Sequence, residues 1–166
     1  MKESKREAAG KSIILRPMKQ EDCLAISRLA QTSFTMPWSE DAFREAIVRK
    51  DSLYVIAIAN NEPIGCCGVT NACGDGDIYN VAVDPKWRSL GIGKWMLGTL
   101  MDWGLKLGIV NYTLEVRVTN TAAIGLYESL GFKSEGIRPG FYEQPREDAM
   151  IMWKRQEENE KFTMPE

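Results

Sequence analysis

A strand that leads into a glycine-opened helix, within Ile78–Lys94, is the feature that most constrains the fold of this chain. Apolar side chains at Tyr79, Val81 and Val83 alternate along its first half, which predicts a β-strand. Gly91-Ile92-Gly93 then opens a long amphipathic segment that predicts a helix. The first turn of a helix presents unpaired backbone N–H groups, and the helix dipole adds about half a positive charge there. The segment therefore predicts a binding site for a phosphate group.

We expect this site to lie at Arg88–Lys94 and to hold a phosphorylated cofactor. The segment is not a P-loop, because no Gly-Lys-Ser/Thr follows the glycines. A Rossmann dinucleotide fold fits poorly, since the glycines follow the fourth predicted strand rather than the first and lack the GxGxxG spacing. Taken alone, the pattern is also compatible with an ordinary loop and a glycine-containing helix start.

The chain contains no histidine, which narrows the chemistry available to it. A Ser-His-Asp triad, a Cys-His dyad and a His-ligated metal are all excluded. Proton transfer near neutral pH must then use other groups, such as a carboxyl group whose pKa is raised by partial burial. The net charge of −2 gives no overall field that would attract nucleic acid or an anionic membrane.

The length of 166 residues predicts one domain, which we assign to residues 12–154. Met1–Lys11 and the charged segment Arg155–Glu166 are expected to be loosely ordered tails. The adjacent Cys66 and Cys67 match neither a zinc-binding pair nor a redox CxxC, so we expect buried thiols in a reducing compartment. No apolar run is long enough to span a membrane, and the N-terminus lacks the apolar core of a secretory signal. The expected location is the cytoplasm.

The predicted elements follow the order β-α-α-β-β-β-α-β-α-β-β. Ser39 is the expected N-cap of the second helix, with Trp38 and Phe43 at the positions of a hydrophobic staple. Asn120 is the expected cap of a later helix. The middle strands are expected to pair as a meander, whereas the later ones are joined through helices. This order predicts a layered α/β protein with a mixed sheet.

Two further segments contain candidate catalytic side chains. Within Thr113–Arg117, apolar residues alternate with Glu115, which predicts that Glu115 points away from the core. It can be a general base, or it can form a solvent-exposed ion pair with Arg117. Tyr127 lies on the apolar face of the helix that begins near Asn120, and this pattern alone favours a buried aromatic side chain. A phenol can also protonate a thiolate leaving group.

Together, the VAVDP, RxxGxG, TLEVR, NTAAIGLYESLGF and EDAMIM segments resemble the GNAT N-acetyltransferase family in order and spacing. The resemblance extends over about Ile13–Trp153 and includes the RPM and PWSEDAF segments. RxxGxG is shared across the family, whereas LEVR with the following N, LYESLGF and EDA resembles the enzymes that acetylate protein N-termini, in particular bacterial ribosomal-protein alanine N-acetyltransferases. The implied fold is the GNAT fold, α/β (α+β), with a mixed, mostly antiparallel sheet of about seven strands and about four helices.

The resemblance implies acetyl-CoA as co-substrate and no metal. In this family, backbone N–H groups of the strand before the glycine loop hold the thioester carbonyl and the pantetheine arm, and Val83 N–H would polarise that carbonyl. The loop and helix start would hold the pyrophosphate, with positive charge from Arg88 and Lys94. The implied cofactor-binding residues are Val81, Ala82, Val83, Arg88, Ser89, Leu90, Gly91, Ile92, Gly93, Lys94 and Asn120.

The resemblance also implies the catalytic roles. Glu115 corresponds to the proton acceptor, which deprotonates the α-ammonium group of the acceptor directly or through water. Tyr127 corresponds to the proton donor for the departing CoA thiolate. The amine would attack the thioester directly, without a covalent acyl-enzyme.

The implied acceptor is the N-terminal alanine of small-subunit ribosomal protein 18. Family members bind the peptide between two segments that correspond here to Met36–Ser39 and Arg138–Glu147, and Trp38, Tyr142 and Glu143 are the candidate contacts. The second segment departs from the RRNYY…DG…EDA pattern, because it keeps an aromatic pair and loses the Asp-Gly turn. No direct nucleic-acid or membrane partner is implied, and the sequence does not determine the oligomeric state.

Other acceptors remain open at this stage, namely another protein N-terminus, a lysine side chain or a small amine. A non-catalytic acyl-CoA-binding module is a further alternative. Glu115 and Tyr127 argue against it, because a module that only binds acyl-CoA needs neither side chain.

Overall fold

The computed structural model describes residues 1–157, which form eight strands and four α-helices. The strands are β1 (Ser4–Ala8), β2 (Lys11–Pro17), β3 (Ser52–Ala59), β4 (Glu62–Ala72), β5 (Asp75–Val83), β6 (Asn111–Arg117), β7 (Lys133–Tyr142) and β8 (Glu147–Lys154). The helices are α1 (Cys23–Ser33), α2 (Glu40–Ile47), α3 (Ile92–Leu105) and α4 (Thr121–Ser129). Short 3₁₀ turns, Gln20–Asp22 and Pro85–Trp87, precede α1 and α3.

The eight strands form one mixed sheet in the order β1-β2-β3-β4-β5-β6-β8-β7. Neighbouring strands are antiparallel except β5 and β6, which are parallel and are joined through α3. The predicted GNAT-type fold, a mixed and mostly antiparallel sheet with four helices, is therefore confirmed. The sheet has one strand more than the roughly seven expected.

Each face of the sheet is covered by its own apolar core. On one face, the strands pack against α3 and against residues of α4, and this core contains Val55 and Cys67. On the other face, they pack against α1 and α2, and this core contains Ile56 and Cys66. Adjacent residues of a strand enter opposite cores because side chains alternate between the faces. The predicted burial of both thiols is confirmed, and burial raises the pKa of Cys66 to about 12.

The prediction of a loosely ordered N-terminal tail is wrong for Ser4–Ala8, because these residues form β1. β1 pairs with β2 in antiparallel register through a tight turn at Ala9 and Gly10, both of which have positive φ. The strand was missed because it has little apolar character. Instead, the Arg6 guanidinium lies 4.7 Å from the ring centroid of Trp95 on α3.

The last two strands, β7 and β8, form an antiparallel hairpin at the end of the sheet. β7 continues to Tyr142 with two register shifts, although it contains Pro139. A proline is tolerated there because β7 lies at the edge of the sheet, where not every N–H group needs a partner. Arg155–Glu157 have no regular structure, and the rest of the predicted C-terminal tail lies outside the described residues.

Within residues 1–157, no helix is long and apolar enough to cross a membrane. The same part of the chain contains no group of three or more Cys, Asp or Glu side chains that could hold a metal ion.

Candidate active site

The sheet opens between β5 and β6. These parallel strands pair only where Asp75–Asp77 lie beside Asn111–Thr113. Beyond this short ladder the strands diverge, so the C-terminal half of β5 and the second half of β6 border a cleft. The backbone groups along this edge of β5 have no neighbouring strand to bind. The cleft is therefore lined by backbone donors and by the side chains of two strands.

A β-bulge shapes the β5 side of this cleft. Between the pairs Cys66–Ala82 and Gly68–Tyr79, β5 contains one residue more than β4. Asn80 lies in the bulge with a φ of 56°, which is in the left-handed region that asparagine tolerates. The Cys66 thiol donates to the Asn80 carbonyl at 3.2 Å, and Asn80 Nδ2 donates to the Tyr54 hydroxyl at 3.4 Å. Hydrogen bonds from Cys66 and to Tyr54 thus stabilise Asn80 at the position where the strand is interrupted.

The bulge changes the face to which the end of β5 points. Tyr79 packs with the core beneath α1 and α2, whereas Val81 and Val83 pack with the core beneath α3. The alternation of these three residues predicts a strand correctly, but it does not place them on one face. The extra residue at position 80 reverses the alternation.

Val83 N–H is directed into the cleft. Asp84 N donates to Ile64 O of β4 at 2.7 Å, and successive N–H groups of a strand point to opposite edges. Val83 N–H therefore points away from β4, towards the edge from which β6 has diverged. The Val83 carbonyl accepts a hydrogen bond from Arg88 Nε at 3.0 Å, which ties the glycine loop to the end of this strand.

The two glycines at the start of α3 have different structural roles. Gly91 is the N-cap of α3 with a φ of 76°, and nothing lies within 4 Å of the position that its Cβ would occupy. Ser89 also has a positive φ, of 61°. A Cβ on Gly93 would lie 3.2 Å from Leu126 Cδ2, so Gly93 permits the close approach of α3 and α4. The space beside Gly93 is therefore filled by the Leu126 side chain of α4.

The remaining residues of the predicted phosphate loop surround the start of α3. Arg88, Ser89, Leu90 and Lys94 are exposed, whereas the Ile92 side chain is buried in the core. The loop thus presents two cations and the free N–H groups of a helix start, an arrangement that suits an anion.

Glu115 lies on β6 at the other side of the cleft. It is half-buried, and Oε1 lies 3.5 Å from Nη1 of Arg138 on β7. The predicted alternative of a pair with Arg117 is wrong, because Arg117 instead pairs with Glu147 at 3.1 Å. Asp77 on β5 adds a second carboxylate: its pKa is raised by burial first and by the charge of Glu115 second, and Arg138 lowers it.

Tyr127 lies on α4 and is buried, as its sequence pattern predicts. Its ring centroid lies 6.0 Å from that of Phe132. Burial is the largest cause of its raised pKa, followed by the nearby Tyr142 and Cys67. Asn120 caps α4 as predicted, since its Oδ1 accepts a hydrogen bond from Ala123 N at 3.2 Å.

Glu115 and Tyr127 lie on opposite faces of the sheet. Leu114 and Val116 of β6 belong to the same core as Tyr127, and Glu115, between them, points to the other face. A half-buried carboxylate and a buried phenol thus lie on opposite faces of the sheet.

The predicted acceptor contacts lie on the Glu115 face. Trp38 is half-buried, with its ring centroid 5.5 Å from that of Phe43 and 5.6 Å from that of Tyr79. The staple contact is therefore confirmed, and Tyr79 extends it towards β5. Tyr142 is half-buried beneath the Arg117 guanidinium, whose Cζ lies 4.4 Å from the ring centroid. Glu143 is exposed.

Arg117 holds the last hairpin in place. Besides its ion pair with Glu147, it donates to the backbone carbonyls of Pro145 at 3.0 Å and Glu143 at 3.3 Å. It also donates to Thr35 Oγ1, at 3.4 Å, in the loop between α1 and α2. This one side chain connects the last hairpin to the loop that contains Met36–Ser39.

Sequence reasoning gave no individual role in this site to four polar residues, namely Asp77, Tyr79, Arg117 and Arg138. Asp77 and Tyr79 precede the cofactor-binding segment of β5 at alternate positions, a spacing that could have marked them as cleft residues. Arg138 carries no such signal, because its proximity to Glu115 depends on how β6, β8 and β7 are ordered in the sheet.

Residues 23–132 match the Acetyltransferase (GNAT) family. This match spans more than half of the chain, which therefore belongs to the GNAT family and is an acetyl-CoA-dependent N-acetyltransferase.

Similar proteins extend this assignment. A ribosomal protein bS18-alanine N-acetyltransferase of Escherichia coli is 35% identical over 138 residues, which are 81% of this chain and 92% of that protein. The crystal structure of the ribosomal-protein-S18-alanine N-acetyltransferase from Escherichia coli superposes with a TM-score of 0.80 at 30% identity, covering 92% of this chain and 99% of that one. An acetyltransferase from Bacillus anthracis, solved in complex with acetyl coenzyme A, has a TM-score of 0.62 at 26% identity and covers 69% of this chain and 68% of its own.

Proposed function

We propose that this enzyme transfers the acetyl group of acetyl-CoA to the α-amino group of an N-terminal alanine, and that its acceptor is small-subunit ribosomal protein 18. The similarity to the Escherichia coli enzymes supports the acceptor. Such an acceptor would place the enzyme in the cytoplasm. The observation that carries the proposed chemistry is that Glu115 follows the end of the β5–β6 ladder, whereas Tyr127 lies on the opposite face of the sheet, in the core against which Val83 packs.

Glu115 would take a proton from the α-ammonium group, directly or through one water molecule. Acetyl-CoA, when bound, supplies the thioester carbon that the free amine attacks. A C–N bond forms to that carbon and its C–S bond breaks. The nitrogen loses a second proton as the amide forms. Tyr127 would give its hydroxyl proton to the departing sulfur, and the second nitrogen proton, passed through solvent, would restore the phenol. The net proton released by the reaction is then the one that Glu115 takes. The amine and the thiolate would thus exchange protons with different side chains, which lie on different faces of the sheet.

The described residues fit acetyl-CoA. Val83 N–H points into the cleft, where it would donate to the thioester carbonyl oxygen, and Val81 and Ala82 border the same edge. The pyrophosphate would lie at the start of α3, against the N–H groups of Ser89–Lys94 and near the Arg88 and Lys94 cations. Asn120, whose Oδ1 caps α4, retains its amide N–H groups for the pantetheine arm.

The acceptor would bind on the Glu115 face. Trp38, Tyr142 and Glu143 are the proposed contacts. Trp38 belongs to the α1–α2 loop, and Tyr142 and Glu143 belong to the last hairpin. Arg117 supports this assignment because it fixes both segments at once.

A screen of acceptors by mass spectrometry tests the substrate. Peptides that begin with Ala, Ser or Met are incubated with acetyl-CoA beside free polyamines and peptides with internal lysines. We expect acetylation of the alanine peptide, on the α-amino group. Absence of that product would refute the ribosomal-alanine acceptor, and acetylation of a polyamine or lysine instead would identify another acceptor class.

The substitution Glu115→Gln tests the catalytic assignment. It keeps the size of the side chain and removes its basicity, so we expect kcat to fall about 10²- to 10⁴-fold. Acetyl-CoA affinity, measured by calorimetry, should remain unchanged because Glu115 lies on the opposite face from α3. A variant with unchanged turnover would remove Glu115 from the role of base. Absence of thiol release from the wild type with every amine would favour a non-catalytic acyl-CoA-binding module.

A further inference from the structure

Arg138 lies against the carboxylate that is proposed to act as the base. It belongs to β7, whereas Glu115 belongs to β6, and β8 separates the two strands. In the register, Arg138 and Arg117 both pair with Ala149 of β8. Residues paired in this way share a face of the sheet, so only an alanine side chain lies between the two arginines. The small side chain allows Arg138 to reach across β8 to Glu115.

The contact between Arg138 and Glu115 is a weak one. The charged atoms are 3.5 Å apart, and the side chains are 54% and 27% exposed. The guanidinium also lies 5.2 Å from the ring centroid of Phe141. Ion pairs of this exposure contribute little, because water and salt compete for both charges. Another cation that is delivered to the same carboxylate can therefore replace Arg138.

We propose that Arg138 is a positioning residue that occupies Glu115 in the free enzyme and is displaced by the α-ammonium group of the acceptor. The inference rests on the proposed function, in which that ammonium group binds Glu115. The guanidinium and the ammonium group carry the same charge and require the same carboxylate oxygens. After acetylation the nitrogen is a neutral amide, and it no longer competes for Glu115. Arg138 then returns to the carboxylate.

Asp77 provides a site for the displaced guanidinium. It pairs with Thr113, two residues before Glu115, so both carboxylates lie on the same face of the sheet. The charges of Glu115 and Arg138 act on the pKa of Asp77 in opposite directions. Two carboxylates and one arginine therefore share this part of the acceptor face. When an ammonium group binds Glu115, the arginine can remain near Asp77, and each negative charge keeps a positive partner.

The test compares Arg138→Gln with a matched control, Arg155→Gln. Arg155 also pairs with a glutamate, Glu135, at 2.8 Å, and its guanidinium lies 4.1 Å from the ring centroid of Trp153. Binding is measured by calorimetry in the presence of CoA, so that no transfer occurs. Two peptides are used, one that begins with a free alanine and one with the same sequence and an acetylated N-terminus.

We expect Arg138→Gln to bind the free-amine peptide about two- to five-fold more tightly, the factor that corresponds to an exposed ion pair. The acetylated peptide should bind Arg138→Gln and the wild type equally, and Arg155→Gln should change neither affinity. Arg138→Lys keeps the charge and should resemble the wild type. A structural role for Arg138 would instead alter the binding of both peptides.

Unchanged or weaker binding of the free-amine peptide to Arg138→Gln would overturn the proposal. So would an equal change for both peptides, or tighter binding to Arg138→Lys. A wild-type enzyme that acetylates the peptide while Arg138→Gln shows no selective gain refutes this inference alone. A wild type that neither binds nor acetylates the peptide refutes the proposed acceptor as well.

Discussion

Tyr127 combines a packing role with a proposed chemical role. Its ring fills the core between α4 and the sheet, and its hydroxyl is the proposed proton donor. Since burial raises the pKa of this phenol above its ordinary value of 10.0, Tyr127 stays protonated throughout the neutral range. A donor that must be protonated at the start of each turnover benefits from this environment.

The substitution Tyr127→Phe separates the two roles. It keeps the ring and removes the hydroxyl, so we expect kcat to fall about 10²- to 10⁴-fold with little change in the free energy of unfolding. Steady-state kinetics and urea unfolding measure the two quantities. The matched control is Tyr142→Phe, which should act mainly on the KM of the acceptor. An unchanged kcat for Tyr127→Phe would exclude it as the donor.

Glu115 and Arg138 show how far single residues can be predicted from the sequence. The alternation within β6 indicates that Glu115 points away from its apolar neighbours, and this is local information. The identity of its partner is not local, because Arg117 is two residues away and Arg138 is on another strand. The nearer arginine in sequence is held by Glu147 and the last hairpin.

The bulge in β5 is the element on which the cleft depends. It directs Val81 and Val83 towards the α3 face and requires a left-handed residue at position 80. A strand with strict alternation would place the end of β5 on the other face. The bulge therefore links the conformation of one residue to the geometry of the proposed cofactor site.

Substitutions at Asn80 test this link. Asn80→Val puts a β-branched residue at a φ of 56°, which should cost about 1–3 kcal/mol of folding free energy and raise the KM of acetyl-CoA. Asn80→Gly accepts the same φ and loses only the contact with Tyr54, about 1 kcal/mol. Urea unfolding and kinetics compare the two variants. If Asn80→Val were as stable and as active as Asn80→Gly, neither the stability nor the cofactor site would depend on the left-handed conformation at position 80.

The hairpin of β1 and β2 illustrates an element that periodicity does not detect. A half-buried strand is predicted from alternating apolar residues, but the face of β1 towards α3 carries Ser4, Arg6 and Ala8. Arg6 covers Trp95 with its guanidinium rather than with an apolar side chain. A composition-based prediction therefore assigns the segment to a tail.

The whole molecule should lose stability in alkaline solution. Burial raises the pKa of Tyr112 from 10.0 to about 12 and that of Cys66 from 9.0 to about 12. The native state thus holds protons that the unfolded chain releases, and the free energy of unfolding falls as pH rises from about 9 to about 12. Below pH 9 these groups make no difference, because both states are protonated.

Urea unfolding at pH 8, 9, 10 and 11 measures this dependence. Tyr112→Phe should be less stable at neutral pH, since its hydroxyl donates to Met101 O at 2.9 Å. Above pH 10, the free energy of unfolding of Tyr112→Phe should fall less steeply than that of the wild type. The difference between the two decreases should reach about 3 kcal/mol once the pH has passed 12. If the free energy of unfolding of the wild type does not change between pH 8 and 11, the pKa values of Tyr112 and Cys66 are not raised by burial.

The sequence by itself determined most helices and strands, the GNAT fold and the positions of Glu115, Tyr127 and the glycine loop. These depend on local periodicity, on caps such as Ser39 and Asn120, and on motifs of fixed spacing. Only the tertiary structure decided where β5 and β6 diverge, which face Val83 occupies and which arginine meets Glu115. Each of these depends on pairing between strands that are far apart in the chain, and a single bulge or strand exchange changes such pairing without altering the local pattern.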